Sequence, residues 1–138
     1  VPSATRTLLA DLGVPDVYVA GGTAVVSSSI LSTLRGYGFI DSATRLAGSD
    51  RYTTSMAITE EIFPGTNGAG YFAVGTGYAD ALAGAALAGG RGEPLYIVPP
   101  NCVPRAVLTH MESTGVEEVS LLGGTAVLSS RVAALRRC

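Results

Sequence analysis

A chain of 138 residues is about the size of one domain and can bury a substantial core. It is 47% hydrophobic and 14% charged, yet no apolar run approaches the roughly 20 residues of a membrane-spanning helix, so membrane insertion is not expected. A net charge of −2 and a pI near 5.2 weigh against nucleic-acid binding, which needs a basic face to displace counterions.

In chain order, residues 2–12 read as a helix stopped by Gly13. Residues 17–20 read as a strand, Gly21 and Gly22 allow a sharp exit, and Ser27 or Ser28 can cap a helix to about Arg35. Residues 37–44 read as a connection with a short extended piece before Leu46. Asp50 suits the cap of a helix to about Phe63, with Tyr52, Met56 and Phe63 on one stripe, and 64–70 is a turn-rich loop. Residues 71–74 form a strand, Gly75 to Gly77 turn, and Asp80 caps a helix over 81–88 that Gly89 and Gly90 end. Residues 95–98 are continuously apolar, as in a central strand covered on both faces, and Pro99 and Pro100 stop it. A helix over 103–114, a strand over 119–122 and a helix over 129–137 follow. This alternation predicts an α/β fold: a parallel sheet of about four strands with flanking helices and right-handed crossovers. Every glycine-rich turn then lies on the C-terminal edge of the sheet, where open α/β sheets bind ligands.

The chain repeats itself. Residues 119–130, VSLLGGTAVLSS, echo residues 17–28, VYVAGGTAVVSS, at a shift of 102 positions. Val1 and Pro2 match Val103 and Pro104, and Gly13 and Val14 match Gly115 and Val116, so 1–36 overlie 103–138. A start at Val1, inside a unit and without Met, reads as a fragment of a tandem array, whose members are usually binding or structural modules. A duplication inside a compact enzyme would leave the same trace.

Few residues suggest chemistry. His110 sits mid-helix with no nucleophile elbow in the chain, and reads as a partly exposed helix residue. Metal-ligand spacings are absent, and the pairs Glu60, Glu61 and Glu117, Glu118 read as solvated faces, so no metal or cofactor is expected. GTGYAD at 75–80 begins like a dinucleotide-binding turn, but a carboxylate at Asp80 would repel a pyrophosphate. A nucleotide- or phosphate-binding domain or enzyme using that turn stands as an alternative. Arg51 lies at the positive end of a helix, where a cation is disfavoured. Its partner is either Asp50 or Asp80, or an anionic ligand, and Arg45 poses the same choice. The turns, Gly123, Gly124 and Thr125 among them, either offer N–H groups to an anion or simply need glycine geometry. All nine basic residues are Arg, so an anionic ligand would be held by a few of them and by helix N-termini. Cys102 and Cys138 are expected to pair, as suits an exported protein. A regular helix over 129–137 would hold them about 13 Å apart, so pairing needs that helix to lean across the sheet edge.

RLAGSDRY at 45–52, GTGYADALA at 75–83, PLYIV at 94–98 and LLGGTAVLS at 121–129 resemble, in order, the motifs of the cell wall binding repeat 2 family. The match covers one complete repeat, about 45–136, preceded at 1–36 by the closing part of another. The resemblance implies non-catalytic modules, usually three in tandem, on exported bacterial proteins such as surface-layer proteins, hydrolases and adhesins. They hold those proteins at the cell surface on anionic wall polymers of the polysaccharide or teichoic acid class. It also implies a Toprim-like or flavodoxin-like three-layer sandwich, and association of modules about a pseudo-threefold axis. The family's anchoring motif, Pro followed by Ile-Leu-Leu, maps to Pro94, Leu95, Tyr96 and Ile97, where Tyr96 departs from the aliphatic pattern. The candidate ligand-binding set is then Arg45, Asp50, Arg51, Tyr52, Asp80, Pro94, Leu95, Tyr96, Ile97, Gly123, Gly124 and Thr125. Neighbouring repeats, or a homodimer or homotrimer, are the expected protein partners. The absence of Lys and the placement of Cys102 and Cys138 look like actinobacterial members. A purely structural repeat that stacks on copies of itself is a further alternative.

Overall fold

The computed structural model describes residues 1–65 and 68–138. In chain order the elements are α1 (Ser3–Asp11), β1 (Asp16–Ala20), α2 (Ser28–Arg35), β2 (Ser42–Leu46), α3 (Arg51–Ile62), β3 (Ala69–Val74), α4 (Ala79–Arg91), β4 (Leu95–Val98), α5 (Arg105–Thr114), β5 (Glu118–Leu122) and α6 (Ser130–Ala133). Thr66 and Asn67, within the loop expected over 64–70, lie outside the described residues.

The α/β alternation with parallel strands holds, but the strands divide into two sheets. Among the described residues five strands form one sheet of order β4-β3-β5 and a second of β1-β2, every pairing parallel. The larger sheet is built around β3, whose Tyr71, Phe72, Ala73 and Val74 are all buried. In register, Phe72 lies beside Tyr96 and Val74 beside Val98. These four join Met56 of α3, Val107 and Met111 of α5, and Val132 of α6 in one core. On the opposite face α4 approaches closely because it is made of small residues. A Cβ added at Gly84 would lie 2.0 Å from Leu122 Cδ1. The smaller sheet has its own core of Val19, Leu34, Ile40 and Ala43.

Several local expectations are corrected. The piece before Leu46 is a full strand, β2, paired along its length with β1. β4 is an edge strand, not a central one. Its outer side is covered by α3, whose Ser55 Oγ accepts the Ile97 N–H at 3.0 Å. Gly89 and Gly90 do not end α4. The helix runs to Arg91 and stops at Gly92, whose φ of 68° ends it in the left-handed conformation that glycine tolerates. Asp80 lies in the first turn of α4, and Tyr78 is the N-cap.

The last helix is four residues long, not nine. The chain turns at Leu135, φ 52°, and Arg137 forms a parallel bridge with Val103. This return brings Cys138 within 4.9 Å (Cα to Cα) of Cys102, and the two are joined by a disulfide. No lean of the helix is needed, because the helix ends before the distance builds up.

Candidate binding site

Both copies of the repeated turn adopt one conformation. Gly21 has φ 107° and Gly123 has φ 111°, a region that L side chains rarely enter. After the first, Val25 and Val26 donate to the Gly22 carbonyl; after the second, Val127 and Leu128 donate to that of Gly124. Both turns lie at the C-terminal ends of their strands, and Gly124 and Thr125 are exposed there.

The loop between β2 and α3 locks the turns around it. Asp50 caps α3 with a capping box: its carboxylate accepts the Thr53 N–H at 2.8 Å, and Thr53 Oγ1 accepts the Asp50 N–H at 3.1 Å. Hydrogen bonds from Thr53 hold the Asp50 carboxyl below its ordinary value of 3.8. Gly48 is obligatory here, since a Cβ would lie 2.2 Å from Thr53 Oγ1 and 2.6 Å from the Thr53 carbonyl carbon. The two arginines take a course that neither sequence reading included. Arg45 donates through Nη1 to the Gly21 carbonyl and through Nη2 to that of Ser27, and Arg51 donates through Nη1 to the Gly75 carbonyl. Each grips the first glycine after a strand, 24 residues away. Tyr52 completes the second grip: a Cβ at Gly75 would lie 2.5 Å from Tyr52 Cε1. Asp80 stands beside the other turn, 2.8 Å (Oδ2) from where a Gly123 Cβ would be.

Two grooves meet at this loop. One, of about 520 Å³, runs between the first turn (Gly21 to Val25) and residues 48–51. The other, of about 430 Å³, is apolar and lies between α3 and α4, floored by Leu95 and Ile97. Arg51 and Thr54 line both. Arg51 is exposed and commits one of its five N–H groups to Gly75, which leaves donors for a ligand. The loop and groove residues Gly48, Ser49 and Thr54 were missed from sequence, where only the position of Gly48 and Ser49 inside RLAGSDRY, and of Thr54 just after it, marked them.

The four residues of the apolar motif part company. Leu95 and Ile97 face the groove, whereas Pro94 and Tyr96 are fully buried and offer no surface to a ligand. Tyr96 shares a 2.9 Å hydrogen bond with His110 Nδ1, and burial pushes its phenol up to about 12. His110 is therefore a buried core residue, contrary to expectation, and its Nε2 has no partner among the described residues. The candidate set thus divides: Arg45, Asp50, Arg51 and Tyr52 gather with Leu95 and Ile97 about α3, while Asp80, Gly123, Gly124 and Thr125 form a separate group at the second turn. No group of three His, Cys, Asp or Glu able to hold a metal occurs among the described residues.

Comparison with known proteins agrees with this geometry. The sequence model of the family described as cell wall binding domain 2 (CWB2) matches residues 45–133. The chain is 27% identical over 133 residues to N-acetylmuramoyl-L-alanine amidase LytC of Bacillus subtilis (strain 168), a match covering 96% of this chain and 25% of that protein. Among solved structures it is similar to Cwp6 from Clostridium difficile, with a TM-score of 0.83 and 29% identity, over 98% of this chain and 22% of that one. It is also similar to Cwp8 from Clostridium difficile, with a TM-score of 0.80 and 25% identity, over 96% and 22%. The chain thus spans 25% or less of the length of each of these relatives. The actinobacterial expectation finds no support in them.

Proposed function

The chain belongs to the cell wall binding domain 2 family and is a cell wall-binding module; from that premise we propose that it holds an anionic polymer of the wall and makes or breaks no bond. The match to a binding family supports the second part, as does the 25% share of the amidase that it covers. We assign residues 45–136 to one repeat and 1–36 to the closing part of a preceding one, on an exported protein whose disulfide suits an oxidising compartment.

The observation that carries the ligand reading is Arg51, exposed where the polar turn groove meets the apolar one. Its free N–H groups suit a phosphate or carboxylate. The backbone of the first turn suits sugar hydroxyls, and Leu95 and Ile97 suit the apolar faces of the sugar rings. Arg45, by contrast, is committed to two carbonyls and positions the turn.

The test is retention on isolated walls before and after their anionic polymers are stripped. Stripping should abolish retention. Ser49→Glu places a negative charge in the groove at an exposed position. It should weaken retention about ten-fold, some 1.4 kcal/mol, with the melting temperature unchanged. Equal retention of the variant and the parent would refute the groove as the ligand site.

A further inference from the structure

We propose that a cleft between α1 and Phe39, at the edge of the β1-β2 sheet opposite the glycine turns, binds one neutral pyranose ring, stacked on Phe39 and hydrogen-bonded by Asp11 and Arg6. It is a second sugar contact, and it shares no residue with the grooves at Arg51.

The cleft, of about 370 Å³, is lined by Ser3, Arg6, Thr7, Ala10 and Asp11 of α1 and by Phe39. Small-ligand clefts span about 300–1,000 Å³, so it has room for a single ring. Phe39 lies in the connection between α2 and β2 and is half-buried. It is stacked on Tyr37, with ring centroids 5.5 Å apart and planes inclined by 18°. The guanidinium carbon of Arg6 sits over the same Tyr37 ring, 5.2 Å from its centroid. Tyr37 and Phe39 both pack against the core of the smaller sheet. That packing holds the platform in place, so a sugar stacking on it meets a ring that is already ordered.

Helix stability does not account for the polar lining. Asp11 is the last residue of α1, where the helix dipole disfavours a carboxylate, and Arg6 lies toward the other end, where a cation gains nothing. Among the described residues the Asp11 carboxylate and the hydroxyls of Ser3 and Thr7 make no hydrogen bond or ion pair. By contrast, Ser32 and Thr33 of α2 donate back to the Ser28 and Ser29 carbonyls. The repeat does not account for the lining either. One period on, Arg6, Ala10 and Asp11 are replaced by Leu108, Glu112 and Ser113. The cleft therefore belongs to what distinguishes the two copies, not to what they share.

Together these groups match a sugar ring. An aromatic face covers the apolar C–H face of a pyranose. A carboxylate accepts from two neighbouring hydroxyls, and a guanidinium donates to sugar oxygens. The charges of Arg6 and Asp11 cancel, which favours a neutral ligand. A polyol phosphate would be repelled by Asp11 and would leave the Phe39 ring unused. Asp11 and Phe39 precede the starts of β1 and β2, which are tied together where the Asp41 and Ser42 N–H groups donate to the Pro15 carbonyl. The Gly21 turn is at the far end of β1, a five-residue strand roughly 16 Å long. The two sites thus engage different stretches of glycan. A single ring binds with a Kd on the order of millimolar. The cleft then adds avidity without retaining the module alone.

The test titrates isotope-labelled protein and follows its amide shifts. The probes are the methyl glycosides of glucose, galactose and mannose, N-acetylglucosamine, and glycerol 3-phosphate. The first three stand for a wall polysaccharide and the fourth for the glycan strands of the wall. Saturable shifts at Arg6, Thr7, Asp11 and Phe39 are expected with at least one sugar, the tightest indicating the source, and none with glycerol 3-phosphate. Saturating the aromatic protons should transfer to the sugar C–H protons, a signature that a merely structural Phe39 does not give. Asp11→Asn should weaken the sugar about five-fold or more without lowering the melting temperature, since it relieves the helix end. The absence of saturable shifts with every sugar, equal shifts with glycerol 3-phosphate, or equal affinity of the variant and the parent would overturn the proposal. Shifts confined to residues 48–54 would also overturn it and would favour the groove instead. Wall retention of Ser49→Glu is read separately, so the two sites fail independently.

Discussion

Val25 and Val127 hold the same place in two copies of one turn, yet Val25 is 77% exposed and Val127 is half-buried near Asp80. The same contrast runs along the strands before them. Ala20 faces solvent, whereas its counterpart Leu122 packs on Gly84 of α4. Val19 is buried and its counterpart Leu121 only half-buried. In the strand and the turn, backbone conformation follows the shared sequence and burial follows the neighbour; beyond them the copies part, α2 running eight residues and α6 four. The first copy is neighboured by β2 and the 48–51 loop, the second by β3, α4 and Asp80.

The comparison breaks most sharply at the disulfide, which only the second copy possesses. It closes a loop across a sequence separation of 36. Reduction should cost about 3–4 kcal/mol, read as a lower melting temperature, with exchange rising first in α6 and at Val103. If the unit at 1–36 loosens as much as the unit at 103–138, the two are coupled and the contrast is one of degree. A smaller effect tests the turns. Gly21→Ala and Gly123→Ala each force alanine into a strained conformation, at about 1–3 kcal/mol. The second should cost more, because its Cβ meets Asp80 as well as Val127, whereas the first meets only the exposed Val25. Equal losses in denaturant melts would mean that Asp80 moves aside freely. The smallest effect is at Asp50, whose cap has no partner turn in the second copy. Its folded pKa is lowered, so its contribution is complete above 3.8 and is lost as pH falls below that value toward the folded one. A slight fall in melting temperature confined to that acid range, and absent in Asp50→Asn, is expected.

What could be read from the sequence depended on how local the cause was. The cap at Asp50 is a local affair, and it was legible; the return bond from Thr53 that makes it a capping box came from the structure. β2 was read as mostly connection because SATRL buries only Ala43 and Leu46, too little to mark a strand by hydrophobicity. The residues after Ala133 carry a helical pattern, but the bridge to Val103 and the bond to Cys102 draw them back, and neither is local. The arginine grips were hidden for the same reason. A carbonyl 24 residues away leaves no mark in composition or spacing, whereas a nearby carboxylate does. The buried pair of Tyr96 and His110 explains the departure from an aliphatic motif: a ring with a hydroxyl is accommodated because a histidine on α5 receives it.

The choice of partner for those arginines has one further consequence. A guanidinium held by a carbonyl dipole at contact distance feels little of the ionic atmosphere, whereas attraction to a charged polymer decays over a Debye length of about 8 Å at physiological ionic strength. Adding sodium chloride should therefore release the module from the wall long before it disturbs the turns that grip the chain together, so high-salt elution should yield native protein.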